Sequence, residues 1–209
     1  MANECYYQMK VVADSKEILE RLEKIMDYED PQYYINRVRS VDMQDVDKED
    51  GLWTATYSGD VAWAAHSWVD DVPAKEPDED GRIYTTLTAL SKELGFSFEI
   101  FSEEAGCCFN EHFHVYRGEV LTNDCTDWYD CIIDTEEELE DTLKDMLEKE
   151  ILPSEGDAEE VRRQGKELIE EGYTFTVQFG GYCWDFGNAE DIDCDVPLES
   201  YNQYFEVIA

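Results

Sequence analysis

Only three histidines occur among the 209 residues, against seven cysteines and 52 carboxylates. Imidazole chemistry therefore has few places to sit. One is the run from Cys107 and Cys108 to His112 and His114, a Cys-Cys-x3-His-x-His spacing that brings together the donors zinc prefers. In a strand, His112 and His114 share one face, while Phe109, Phe113 and Val115 take the other, with Glu111 as its polar exception. Adjacent cysteines rarely converge on one metal, so these are read first as ordinary strand residues, with a metal site or enzyme at Cys107, His112 and His114 as the alternative. No local motif marks a thiol nucleophile with an imidazole base. Cys125-x5-Cys131 and the Cys183/Cys194 pair lack CxxC spacing and read as buried small apolar residues.

Oxygen donors are abundant but poorly spaced. Asp45–Gly51 has the outline of a calcium loop, with its glycine one place late and no closing glutamate. Glu76–Gly81 has the glycine in register but puts Leu87 where a bidentate glutamate is needed. No glycine-rich phosphate loop, G-x-S-x-G or H-E-x-x-H occurs. The expectation is no catalytic residue, no metal, no cofactor and no enzyme activity.

Charge is the informative feature. The 52 Asp and Glu outnumber the 16 Lys and Arg to give a formal net of −36. A folded surface of roughly 10,000 Å² would carry about one net charge per 280 Å²; a DNA duplex carries about one per 110 Å². Clustering on one face would close that gap. At 43% hydrophobic and 13% aromatic the chain can bury a core, which separates it from disordered acidic tails. Two segments concentrate the acids. One is the loop bearing Asp70, Asp71, Glu76, Asp78, Glu79 and Asp80. The other is a helix bearing Glu136, Glu137, Glu140, Asp141, Asp145 and Glu148, with only Lys144 and Lys149 against them. Like charges four apart destabilise a helix by a few tenths of a kcal/mol per pair, so Glu137/Asp141 and Asp141/Asp145 point to a negative surface that is there for a reason. Asp185–Pro197 reads as a further acidic loop.

The elements that must hold these residues follow from periodicity. Cys5–Val12 is a strand, and Asp14 with Glu17 forms a capping box for a helix carrying Ile18, Leu19, Leu22, Ile25 and Met26. Tyr33–Val41 is a strand, Gln44–Gly51 an acidic turn, and Leu52–Tyr57 and Val61–Trp68 two strands joined through Ser58-Gly59-Asp60. A helix over Thr85–Leu94 ends at Gly95. Strands at Phe96–Phe101, Phe109–Tyr116 and Asp127–Ile133 follow, with a turn at Arg117-Gly118-Glu119. Then come helices at Thr135–Ile151 and Ala158–Glu171, separated by a break at Pro153–Asp157, and strands at Tyr173–Phe179 and Tyr201–Ile208. The fold class is α+β with a mainly antiparallel sheet and a ferredoxin-like core. Residues 1–133 form that domain, and 134–209 a helix–helix–strand extension packed on it.

Met1-Ala2-Asn3-Glu4-Cys5 before a strand and capped helix resembles the start of the YubB-type ferredoxin-like proteins of phages and conjugative plasmids. The stretch Leu87–Val120, with Glu103-Glu104-Ala105-Gly106-Cys107-Cys108-Phe109 and Gly118-Glu119, is similar too. The resemblance spans about residues 1–125; it lacks the family's Trp-Ser-Pro-Pro segment and has Glu4 where an aromatic is usual. It implies an accessory protein of a mobile element. Together with the charge, it points to an anti-CRISPR-like DNA mimic that occupies the basic groove of a host defence nuclease, a CRISPR effector first and a restriction enzyme next. The partner is then a basic nucleic-acid-binding protein, with no nucleic acid or membrane bound directly. An accessory protein whose charge serves only solubility is the bland alternative. Met1–Lys10 has neither a basic n-region nor an apolar h-region. The expected place is the host cytoplasm, with reduced thiols.

Overall fold

The computed structural model describes residues 4–149, 155–182, 184–199 and 205–209. In chain order the elements are β1 (Glu4–Ala13), α1 (Lys16–Met26), β2 (Tyr33–Ile35), β3 (Asp42–Glu49), β4 (Leu52–Ala62), α2 (His66–Asp70), β5 (Ile83–Thr85) and α3 (Leu87–Leu94). They continue with β6 (Phe96–Glu104), β7 (Phe109–Tyr116), β8 (Glu119–Ile133), α4 (Glu136–Glu148), α5 (Glu155–Glu171), β9 (Phe175–Gly180), α6 (Ala189–Ile192) and β10 (Phe205–Ile208). The chain divides into two compact units, 1–125 with 184–200, and 126–183 with 201–209. The division thus falls inside β8 rather than at 133/134, and the segment expected as a tail loop returns to the first unit. Among the described residues no helix is long and apolar enough to cross a membrane.

The first unit is built on an antiparallel sheet of order β8-β7-β6-β1-β4-β3. Its β6-β1-β4-β3 portion has the ferredoxin-like arrangement: β1 is paired on both sides by antiparallel neighbours, with helices at the two crossovers. Alternation along β1 explains why helices cover one face. Cys5, Tyr7, Met9 and Val11 are fully buried with Leu19, Leu22, Ile25 and Met26 of α1, Leu87 and Leu90 of α3, and Phe96, Phe98 and Ile100 of β6. Each such side chain contributes about 1.5–3 kcal/mol by leaving water. Trp68 closes this core edge-on to Tyr7 at 4.9 Å, its indole N–H donating to the Asn36 carbonyl at 2.8 Å.

Several local expectations change. The cap of α1 is Ser15, not Asp14, whose carboxylate reaches Arg117 at 3.5 Å instead. The strand expected over Tyr33–Val41 is only the three residues of β2, plus an isolated bridge from Val38 to Val61. The expected acidic turn at Gln44–Gly51 is largely strand: β3 pairs with β4 across a bulge between Gln44 and Asp47. The bulge turns Met43 and Val46, three residues apart, toward the same core. β4 runs unbroken through Gly59, because the glycine is there for close approach and not for a turn; a Cβ on it would overlap the Ser40 carbonyl. Trp68 lies on the short α2, not on a strand. Thr86 caps α3 by accepting the Ala89 N–H, and Gly95 ends it in the left-handed region. Arg117 (φ 43°) and Gly118 (φ 90°) form the tight β7–β8 turn.

In the second unit β9 lies between the end of β8 and β10, antiparallel to both. Leu139, Leu143 and Met146 of α4 and Ala158 and Val161 of α5 pack with Ile133, Phe175 and Val177. Thr135 is the cap of α4 rather than its first residue, accepting the Glu138 N–H, while the Glu138 carboxylate accepts the Asp134 N–H at 3.1 Å. α5 begins at Glu155, earlier than expected; Ile151, the Pro153 break and Tyr201–Tyr204 lie outside the described residues.

Candidate functional site

His112 and His114 share one face of β7, opposite Phe113 and Val115, as alternation requires. Cys107 and Cys108 sit instead in the exposed β6–β7 turn, and among the described residues no three His, Cys, Asp or Glu side chains form a group able to hold a metal. The His112 ring stacks on Phe101 with centroids 4.3 Å apart, its Nε2 2.8 Å from the Glu99 carboxylate. Both partners are almost wholly buried, at 1% and 3% exposure. Glu111, on the helix side, is a built-in acceptor: it takes the Ser102 hydroxyl and the N–H groups of Ala65 and His66. Cys5 is buried, and that burial pushes its thiol up to about 12. Of the cysteines expected to be buried, Cys125 is exposed and Cys131 and Cys194 are half-buried; Cys183 lies outside the described residues.

What covers the histidine face is the segment 184–199. Trp184 stacks on Tyr6 and Phe101, and Phe186 meets Phe101 at 5.4 Å. The Gly187 N–H donates to Glu99 at 2.8 Å, and the Ala189 N–H to Glu49, which also pairs with Lys10. Ala189 and Ile192 bury against Val12. Asp193 accepts two bonds from the Arg117 guanidinium, at 2.7 and 3.0 Å, and one from the Ser97 hydroxyl at 2.6 Å. Burial pushes the Asp193 carboxyl upward, but these bonds and the guanidinium charge outweigh it and hold the group below the usual range. Asp193 is thus spent internally. The acid-rich sequence concealed this role, and the apolar residues Trp184, Phe186, Ile192 and Leu198 set among the acids were the available signal.

The acidic positions read from the sequence are all at the surface, but their surroundings differ. Asp70 accepts the Asn123 amide and Asp71 the Tyr84 hydroxyl. The Asp78 carboxylate is turned into its own loop, accepting the N–H groups of Asp80 and Arg82, and Asp80 lies 3.5 Å from the Arg82 guanidinium. Glu76 and Glu79 point to solvent. On α4, Glu136 and Glu140 face Lys166 and Arg162 of α5, while Glu148 and Asp145 lie near Lys144 and Lys149. Glu137 and Asp141 are exposed. With Asp145 they make a stripe that advances about 6 Å per step along the helix.

An acidic group missed in the sequence lies in the first unit. Burial lifts the Glu23 carboxyl above its ordinary range, and the charges of Asp27, Asp42, Glu20 and Glu29 add to the lift. Four of these acids, Glu20, Glu23, Asp27 and Glu29, lie close together in the chain; the fold adds Asp42 of β3, which a linear scan does not place beside them. Over the whole molecule, ten of the 16 Lys and Arg lie in ion pairs among the described residues, engaging twelve of the 52 carboxylates. The excess is shared: 33 carboxylates against 11 cations leave −22 on the first unit, and 19 against 5 leave −14 on the second. Spread over 11,016 Å², 36 net charges amount to about one per 306 Å². No family model matches the chain, and neither a curated protein nor a solved structure matches it.

Proposed function

We propose that the protein is an acidic DNA mimic: it binds the Lys- and Arg-lined groove of a nucleic-acid-binding protein and keeps nucleic acid out. A host defence nuclease is the partner, a CRISPR effector before a restriction enzyme. The observation that carries this reading is the disposition of charge. A well-packed fold keeps exposed carboxylates side by side, as at Glu137/Asp141 and around Glu23, while most of its few cations are already engaged with carboxylates of the same chain. Selection for stability alone would place lysines among them, since self-repulsion weakens a compact state. Such a surface accelerates encounter with a basic partner and makes binding steeply dependent on salt.

Chemistry at Cys107, His112 and His114 has less support, because the histidines are buried under the 184–199 segment and the cysteine lies in the exposed β6–β7 turn. The discriminating variant is Glu137→Lys with Asp141→Lys. Glu140 is left alone because its bonds to Arg162 join α4 to α5. Loss of partner binding and of inhibition, with the fold intact, is the expected outcome. Undiminished inhibition removes α4 from the contact surface.

A further inference from the structure

The segment 184–199 crosses its sheet face on anchors that are mainly polar, and one of them can exist in a single protonation state only. His114 is fully buried. Its Nε2 lies 2.9 Å from the Ile192 carbonyl oxygen, and its Nδ1 lies 3.3 Å from the Leu198 backbone nitrogen. A carbonyl only accepts and an amide N–H only donates. The neutral imidazole with its proton on Nε2 is therefore the one species that satisfies both partners. Protonating Nδ1 sets an N–H against the Leu198 N–H and turns that bond into a repulsion. The Nε2–H bond to the Ile192 carbonyl survives that proton, because an imidazolium still donates there, so the proton acts on the strap at Leu198.

We infer that residues 184–199 form a pH-responsive strap whose C-terminal end is latched over the sheet by neutral His114 and released at Leu198 when that imidazole takes up a proton. The charged and titratable groups around it come from every neighbouring element: Glu99 on β6, His112 on β7, Lys10 on β1 with Glu49 on β3, Arg117 in the β7–β8 turn and Asp193 on the strap. Glu99 favours the imidazolium, and a charged His112 opposes it. Burial is the larger influence and holds His114 below its ordinary value of 6.5. The neutral form is thus the native one. Its stabilisation is complete above 6.5 and declines as pH falls toward the lowered value. The Asp193–Arg117 pair keeps the middle of the strap tethered through this window, because Asp193 stays ionised well below it. Release consequently begins at the Leu198 contact.

Hydrogen exchange of the full chain tests this, with rates corrected for intrinsic pH dependence. Opening that takes up one proton gains about tenfold per pH unit between the closed and open values. Between pH 7.5 and 5.0, protection of the Leu198 amide and of peptides spanning 194–198 should fall, while β1 amides keep theirs. His114→Phe, which fills the site without titrating, should show weak strap protection that no longer changes with pH. If that variant does not fold, nitrogen NMR of wild-type His114 decides. An Nε2–H tautomer at pH 7.5, giving way to imidazolium in step with loss of strap protection, upholds the latch. Imidazolium with the strap still protected, or protection equal at both pH values, overturns it.

Discussion

Removing the Asp193 carboxylate tests whether the strap is a structural part of the first unit. Asp193→Ala deletes two guanidinium bonds and one hydroxyl bond from a largely buried acceptor. Hydrogen bonds to charged groups are worth about 1.5–3 kcal/mol each, but they are not additive. The Arg117 side chain is 36% exposed, so water screens its share. The expected loss is about 2–3 kcal/mol in total, or a melting point lower by about 5–10 °C for a chain of this size. A double-mutant cycle with Arg117→Ala isolates the pair and should give a coupling of about 1–2 kcal/mol at pH 7 in urea unfolding. Because the folded carboxyl is depressed, the coupling is present above the unfolded value of 3.8. It should vanish as the pH falls through the folded value below that. Coupling under about 0.5 kcal/mol at pH 7, or coupling that persists in acid, refutes the view that this pair ties the strap down.

Other substitutions report on separate links. Gly118→Ala meets both a φ of 90° and the Lys92 Cβ; it should cost about 1–3 kcal/mol, measured by chemical unfolding. Glu111→Ala leaves the Ala65 and His66 N–H groups and the Ser102 hydroxyl without their acceptor. It should destabilise by about 2–3 kcal/mol and expose α2 to exchange while α4 stays protected. Asp141→Lys alone turns the like-charge pairs with Glu137 and Asp145 into opposite-charge pairs at i, i+4 and should raise the stability of the second unit by a few tenths of a kcal/mol. A surface kept for function would then show opposite effects on stability and on partner binding.

The ferredoxin-like core was legible because its signals are local and agree with one another. β1 alternates cleanly, α1 carries a helical stripe, and Gly95 marks the end of α3. β3 was hidden because its bulge breaks the two-residue period, so that Met43 and Val46 looked like a turn among acids. Gly59 was misread for a different reason: a glycine that permits close contact looks in sequence like one that permits a turn. The strap left only the apolar residues among its acids as a signal. Its anchors to Ser97, Glu99, His114 and Arg117 join residues about 76–96 positions apart, and acidic composition alone suggests a solvated loop. Of the acidic surface, the helix and loop clusters were visible as runs; Asp42 beside Glu23 was not, because the fold brings β3 to α1.

The most direct test of the DNA-mimic proposal is competition. The tagged protein is incubated with host-cell lysate at 50 mM and at 500 mM salt, and what it retains is challenged with duplex DNA. The account predicts stoichiometric retention of a nucleic-acid-binding nuclease at the lower salt, release at the higher salt, displacement by DNA, and loss of capture in the Glu137→Lys, Asp141→Lys variant. Retention of no basic protein at either salt, or of a partner that DNA does not displace, contradicts it and leaves the −36 charge as a property of solubility.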